Sequence, residues 1–141
     1  MSRKLSPMDH WLSVAQQGLR IALDPNPASA RATPRSSEAE ARLTDAETAH
    51  AAGLMRVNHT GEIAAQALYH GQAAVTQNAA LREHLHQAAE EEQDHLAWCA
   101  ERLQELDSQP SRLGPLWYAG SYAIGAMAGL AGDRVSLGFV S

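Results

Sequence analysis

Two side chains able to bind a metal, Glu92 and His95, interrupt an otherwise apolar helical stripe in the second half of the chain. A carboxylate and an imidazole on an apolar surface cost several kcal/mol unless another group compensates them. Their i, i+3 spacing places both on one helix face, where they could bind the same ion. They could equally form a polar contact with a partner protein. The stripe consists of Leu81, Leu85, Ala88, Glu92, His95, Cys99, Leu103 and Leu106.

The Glu-x-x-His spacing alone is a weak signal, because the chain contains it three times. Glu83 and His86 lie nine residues before the pair in the stripe, which at about 100° per residue predicts the opposite, solvent-facing side of the helix. The remaining copy begins at Glu47, near a predicted helix start, where Glu47 is expected to form a capping box with Thr44. Only Glu92 and His95 lie among apolar residues on their own helix face.

A third candidate ligand, Glu62, lies on the preceding helix. The sequence predicts two helices, residues 45–77 and 81–106, with a short break between them. Folding at this break makes an antiparallel hairpin, and residue 77 is the midpoint between Glu62 and Glu92, so the two carboxylates should lie level. One Glu from one helix and Glu-x-x-His from the next make half of a di-iron carboxylate ligand set.

Three segments of the chain carry motifs that occur together in one protein family. The run GLMRVNHTGE from Gly53 to Glu62, with QALY and GQ after it, is similar to the first metal helix of that family. EEEQDHL at residues 90–96 resembles the second metal helix. PLWYAG at residues 115–120, followed by a glycine-rich apolar stretch, matches the next segment. In these motifs and their order, roughly residues 43–140 resemble the demethoxyubiquinone hydroxylases, the ferritin-like di-iron monooxygenases of ubiquinone biosynthesis.

This resemblance implies an all-α, ferritin-like four-helix bundle that binds two iron ions per complete site. The family's ligands in this portion fall on Glu62, Glu92 and His95. The implied reaction hydroxylates the ring of a prenylated demethoxyubiquinol with dioxygen. The implied location is peripheral, on the cytoplasmic side of a membrane, which is the bacterial inner membrane if the organism is a prokaryote. A homo-oligomer or a complex of ubiquinone biosynthesis proteins is a further expectation.

The complete family pattern needs two further helices that supply another Glu and another Glu-x-x-His. No acidic residue follows Asp133, and no histidine follows His95. We therefore expect an incomplete bundle, with the first metal-binding hairpin and one apolar membrane-associated helix, in a truncated chain that is inactive in isolation. The alternative is that two copies pair and complete the site between them.

Composition and patterning divide the chain into three parts. Residues 1–23 predict a short amphipathic helix that begins at Ser6, residues 24–41 a flexible proline-rich linker, and residues 42–141 a partial ferritin-like di-iron domain. The net charge of −5 argues against a nucleic-acid partner. A single cysteine, Cys99, indicates a reducing compartment, and we expect a small core residue there instead of a catalytic thiol.

The segment 113–132 has twenty residues and no charge. We expect a helix that lies in or dips into the bilayer, with a buried bundle helix and a full span as the alternatives. Gly125-x-x-x-Gly129 would let another helix approach closely. No strand precedes this glycine-rich run, so no dinucleotide site is predicted.

Two other functional classes remain open. A ferritin-like iron-binding or storage protein would use the same ligands without needing the segment 113–132. A non-catalytic membrane-associated helical protein would keep that segment and tolerate loss of the ligands.

Three further side chains near the predicted ligands have two interpretations each. Tyr69 either lines the site or fills the core, and His59 either hydrogen-bonds a ligand or packs between helices. Asp94 points about 100° away from His95, so a neighbouring helix or solvent is its expected partner.

Overall fold

The computed structural model describes residues 6–24, 26–34, 41–132, 134 and 138, and predictions that fall on other residues lie outside this part. The described residues form four helices and no strand: α1 (Pro7–Leu23), α2 (Asp45–Val75), α3 (Ala79–Glu105) and α4 (Gly114–Leu130). The all-α prediction is confirmed. The predicted hairpin corresponds to α2 and α3, and the predicted amphipathic helix corresponds to α1.

The first three helices begin where side chains accept hydrogen bonds from free backbone N–H groups. Ser6 and Asp9 form a capping box at α1, with the Ser6 N–H donating to Asp9 Oδ2 at 2.9 Å. Thr44 and Glu47 form the predicted box at α2, where the Thr44 N–H donates to Glu47 Oε2 at 2.8 Å. Asn78, in the predicted break, accepts from two N–H groups of α3 at 3.1 Å. These caps fix the ends of the hairpin.

The core lies where α1, α2, α3 and α4 meet. Leu96 and Leu103 of α3 are fully buried, and Ile63 of α2 is 1% exposed. Burying each such side chain stabilises the fold by about 1.5–3 kcal/mol. The cluster at the centre contains Ile21, Ala22, Ile63, Ala67, Leu96 and Tyr118.

Glycines let α4 pack closely against α2. A Cβ atom on Gly125 would lie 2.2 Å from the backbone oxygen of Leu68, and one on Gly71 would lie 2.2 Å from that of Tyr122. Gly129 similarly faces Val75. Only glycine permits this approach of the two backbones. The predicted close approach at Gly125-x-x-x-Gly129 is therefore confirmed, and its partner is α2.

The other side of α4 is an exposed apolar face. It carries large side chains whose exposed fraction reaches 74% at Leu130, and its members are Leu116, Trp117, Ile124, Met127 and Leu130. We call these five residues the outer face of α4. Among the described residues, no helix combines the length and the apolar character needed to cross a bilayer.

Residues 26–34, within the predicted linker, form no helix or strand and lie along α3. We call this segment the strap. Gln104 of α3 donates to Asn26, Thr33 donates to Glu101, and Gln93 donates to the backbone oxygen of Ala28. These hydrogen bonds hold the strap against the helix, whereas the linker was expected to be flexible. The division of the chain into three parts stays a prediction.

Candidate metal centre

The structure brings the three predicted ligands together at the α2–α3 contact. One ligand atom from each of Glu62, Glu92 and His95 can be chosen so that all three lie within 4.8 Å of one another. The Nδ1 atom of His95 is 2.9 Å from Oε2 of Glu92 and 4.0 Å from Oε2 of Glu62. Two carboxylates and an imidazole at this spacing suit one cation.

The hairpin register explains this convergence. The break between α2 and α3 sets Glu62 level with Glu92, and a single helical turn separates Glu92 from His95. Leu96, which is fully buried, lies on the side of α3 that faces the core. Glu92 and His95 are only partly buried, so they lie at the edge of the contact between the helices. Their neighbours Ala88 and Cys99 are likewise only partly buried.

The electrostatics of the site favour a bound cation. Burial, a hydrogen bond with Glu92 and the negative charge of Glu92 together raise the pKa of Glu62 to about 7, and His95 opposes this shift. With its pKa near 7, Glu62 holds a proton in part of the molecules at neutral pH, and that proton reduces its repulsion with Glu92. A metal cation would serve the same purpose and displace that proton.

The donor set fits iron. Carboxylate oxygen and imidazole nitrogen are ligands that iron accepts, and carboxylates can bridge two ions. The side chain of His95 is 42% exposed, and those of Glu62 and Glu92 are 24% and 19% exposed. The ligands therefore form one wall of a site that leaves room for further ligands.

Tyr69 contributes to both the site and the core, the two alternatives considered for it. Its ring packs against Ala73, Leu81 and Leu85. Burial, together with the charges of Glu92, Glu62 and Glu91 and a hydrogen bond with Glu92, raises the pKa of Tyr69. A neutral Tyr69 hydroxyl can therefore hold Glu92 in place.

Three other histidines, His59, His70 and His86, do not join the three predicted ligands. Glu83 and His86 are exposed, as the spacing predicted. The ring centres of His86 and His70 lie 6.4 Å apart. His70, on α2, forms a 3.0 Å hydrogen bond through Nδ1 with the hydroxyl of Tyr118 on α4. His59 is 2% exposed, and neither of its ring nitrogens has a hydrogen-bond partner among the described residues. His59 therefore packs between helices without contacting a predicted ligand through a hydrogen bond.

Cys99 lies near the site as a protonated thiol. Burial and the charge of Glu62 raise its pKa to about 11, so the thiolate is scarce at neutral pH. This agrees with the expectation that it is not a catalytic nucleophile.

Asp94 and Trp98 are the neighbours of His95 whose roles the sequence did not indicate. Asp94 is buried, but its partners are Ser29, Ala30 and Arg31 of the strap, so the expected contact with a helix or solvent is wrong. The Trp98 ring lies 5.2 Å from the His95 ring. The i, i+3 spacing of His95 and Trp98 could have indicated that contact.

Comparisons with known proteins point to one family. Residues 49–141, which include all three predicted ligands, match the family of the ubiquinone biosynthesis protein COQ7. A 3-demethoxyubiquinol 3-hydroxylase of Xanthomonas oryzae pv. oryzae (strain PXO99A) is 56% identical over 139 residues, covering 99% of this chain and 64% of the relative. The enzyme of the same name from Ralstonia pickettii (strain 12J) is 55% identical over 131 residues, covering 90% of this chain and 60% of the relative.

The chain thus spans less than two thirds of the length of these relatives. No solved structure matches it. The matching family has a ferritin-like helical bundle, which agrees with the four helices of the described residues. On the match across residues 49–141, this chain belongs to the COQ7 family of ubiquinone biosynthesis proteins.

Proposed function

We propose that this chain carries half of the ligand set of a di-iron monooxygenase that hydroxylates the ring of a demethoxyubiquinol with dioxygen. The observation that carries the proposal is the convergence of Glu62, Glu92 and His95 at the α2–α3 contact. These residues lie in the segment that matches the COQ7 family, and the similar relatives are named 3-demethoxyubiquinol 3-hydroxylases. The remaining ligands would come from residues outside this set.

The side chains of this chain would bind and orient the ions. Glu62, whose pKa is raised to about 7, would lose its proton on metal binding, and its carboxylate would offset the charge of the cation. His95 offers Nδ1, the nitrogen that faces both carboxylates, and Tyr69 holds Glu92 through its hydroxyl. When bound, the reduced di-iron centre supplies the electrons that activate dioxygen for ring hydroxylation.

We also propose that the outer face of α4 rests on the surface of a membrane, the source of a prenylated quinol. Five large apolar side chains are exposed along this face, among them Trp117 and Met127 at 51% and 61%. Such a face binds lipid interfaces through the burial of apolar area. The protein would then lie peripherally on the cytoplasmic side, where other ubiquinone biosynthesis proteins could join it.

Because this chain supplies only part of the ligand set, the proposal is tested on a protein that holds this chain together with the remaining ligands, by measuring iron content and substrate turnover on the same preparation. A demethoxyubiquinol should gain one oxygen atom, detected by mass spectrometry, in proportion to the iron bound. Iron binding without turnover would favour a ferritin-like iron-binding or storage protein. The absence of both iron and turnover would favour a non-catalytic helical protein and would contradict the proposal.

A further inference from the structure

One buried carboxylate of α3 accepts three of the hydrogen bonds that hold the strap. Asp94 accepts hydrogen bonds from Ser29 Oγ at 3.0 Å, from the Ala30 N–H at 2.6 Å and from Arg31 Nε at 2.5 Å. The side chain of Asp94 is 7% exposed. A buried carboxylate with three donors, one of them charged, is strongly held because leaving it unpaired would be costly. The strap is thereby fixed beside the residue that precedes His95.

Arg31 makes two contacts with the indole of Trp98, one through its guanidinium and one through its backbone oxygen. Its guanidinium carbon lies 5.3 Å from the centre of the Trp98 ring, within the range of a cation–π contact. The Trp98 Nε1–H donates to the backbone oxygen of Arg31 at 3.3 Å. Since the same guanidinium also pairs with Asp94, one strap residue fixes both its own position and that of the indole.

Trp98 in turn lies against the imidazole of His95. Their ring centres are 5.2 Å apart, with 45° between the ring planes. The side chain of His95 is 42% exposed, so the protein surrounds it on few sides. Glu92 fixes Nδ1 through a hydrogen bond, and Trp98 bounds the ring on another side. Arg31, Trp98 and His95 therefore form a continuous chain of contacts.

We propose that the strap is a positioning element for His95, acting through Arg31 and Trp98. Both residues lie outside the predicted ligand set, and both restrict the orientations open to the imidazole. The consequence for metal affinity rests on the proposed function, whereas the restriction of the His95 ring does not. Residues that orient a metal ligand from outside the ligand set typically contribute about 10–100-fold to metal affinity.

The test compares Arg31→Ala with Thr33→Ala in the full chain. Both substitutions remove a side-chain contact between the strap and α3, but Thr33 hydrogen-bonds Glu101, whereas Arg31 stacks on Trp98. Arg31 is 53% exposed, and in its alanine variant Asp94 keeps the Ser29 and Ala30 donors, so the fold should stay intact. Trp98→Phe provides a second variant, which retains an aromatic ring but loses the N–H donor.

Two readouts are measured on each variant. In metal-free protein, nuclear magnetic resonance follows the Cε1–H signal of His95, whose shift depends on the neighbouring indole. Titration with Co(II), as the metal probe, gives the affinity. We expect Arg31→Ala to move and broaden the His95 signal and to weaken Co(II) binding about tenfold. Trp98→Phe should have a smaller effect in the same direction, and Thr33→Ala should match the parent protein.

An Arg31→Ala variant that matches Thr33→Ala in both the His95 signal and Co(II) affinity would overturn the inference, even if the parent protein binds Co(II) tightly. If the parent protein fails to bind Co(II) but Arg31→Ala still moves the His95 signal, the positioning role stands and the proposed metal site fails.

Discussion

The Nδ1 atom of His95 and the Oε2 atom of Glu92 lie 2.9 Å apart, one turn from each other on α3. Their hydrogen bond occupies the space where a cation could bind both residues. Glu62 adds a third ligand atom within 4.8 Å of atoms on both residues. The side chains proposed to bind the metal are therefore also the ones that can hold protons in its absence. Protons and metal should therefore compete for these side chains.

Glu62→Gln should stabilise the metal-free protein at alkaline pH. The pKa of Glu62 is raised from 4.5 to about 7, so its protonated form favours folding. That stabilisation is complete below pH 4.5 and is lost as the pH rises through 7. We expect the free energy of unfolding of the variant to exceed that of the parent protein by on the order of 2 kcal/mol at pH 8 and to match it near pH 4.5. Urea unfolding with a chelator present measures both values. Glu83→Gln, at an exposed position, is the control, and a difference that does not vary with pH would contradict this account.

Co(II) affinity should decrease as the pH falls below about 7. Binding must displace the proton of Glu62, since burial and Glu92 raise the pKa of that residue to about 7. Displacement of one proton weakens binding about tenfold for each pH unit below that value. Calorimetry in two buffers of different ionisation enthalpy would count the released protons. Release of no proton at pH 6 would show that Glu62 is not a ligand.

Gly71→Ala should destabilise the protein by about 1–3 kcal/mol, because the added Cβ would lie 2.2 Å from the backbone oxygen of Tyr122 on α4. Gly61→Ala is the matched control on the same helix, since its Cβ would meet nothing within 4 Å. The control should be neutral or stabilising by up to about 1 kcal/mol, as alanine favours helices. Urea unfolding of both variants checks this, and equal stabilities would refute the close packing of α2 and α4.

Met127→Glu should reduce binding to liposomes. Met127 is 61% exposed on the outer face of α4, and a charge there opposes insertion into the lipid interface. His84→Glu places the same residue at an exposed position of α3 and should float with liposomes like the parent protein. Protease treatment of the bound protein should reach both flanks of α4 from one side of the bilayer. Unchanged flotation of Met127→Glu would contradict the proposed orientation.

The helices and the ligand positions could be predicted because they depend on local patterns. Thr44 and Glu47 are three residues apart, so their capping box is readable from the sequence, and the short break at Asn78 sets the register of Glu62 against Glu92. Once that register is fixed, His95 follows from the helical repeat.

The contacts of the strap could not be predicted in the same way. A segment rich in proline, alanine and serine reads as a linker, and nothing in its composition specifies that Arg31 meets Asp94 about 60 residues later. The buried charge of Asp94 could be paired from any neighbouring segment. For α4, the glycines indicated a close helix neighbour but not that the neighbour is α2.

The central claim is that Glu62, Glu92 and His95 form a specific iron site, and iron bound per chain measures it most directly. The measurement, made on a protein with the complete ligand set, compares Glu92→Ala and His95→Ala with Glu83→Ala and His86→Ala. The second pair has the same residue types at the same spacing on the exposed side of α3. Anaerobic loading with Fe(II), removal of free metal and elemental analysis should show that the first two variants lose specific iron. The other two should retain the iron content of the parent protein. Equal loss from both pairs, or retention by all four variants, would contradict the account.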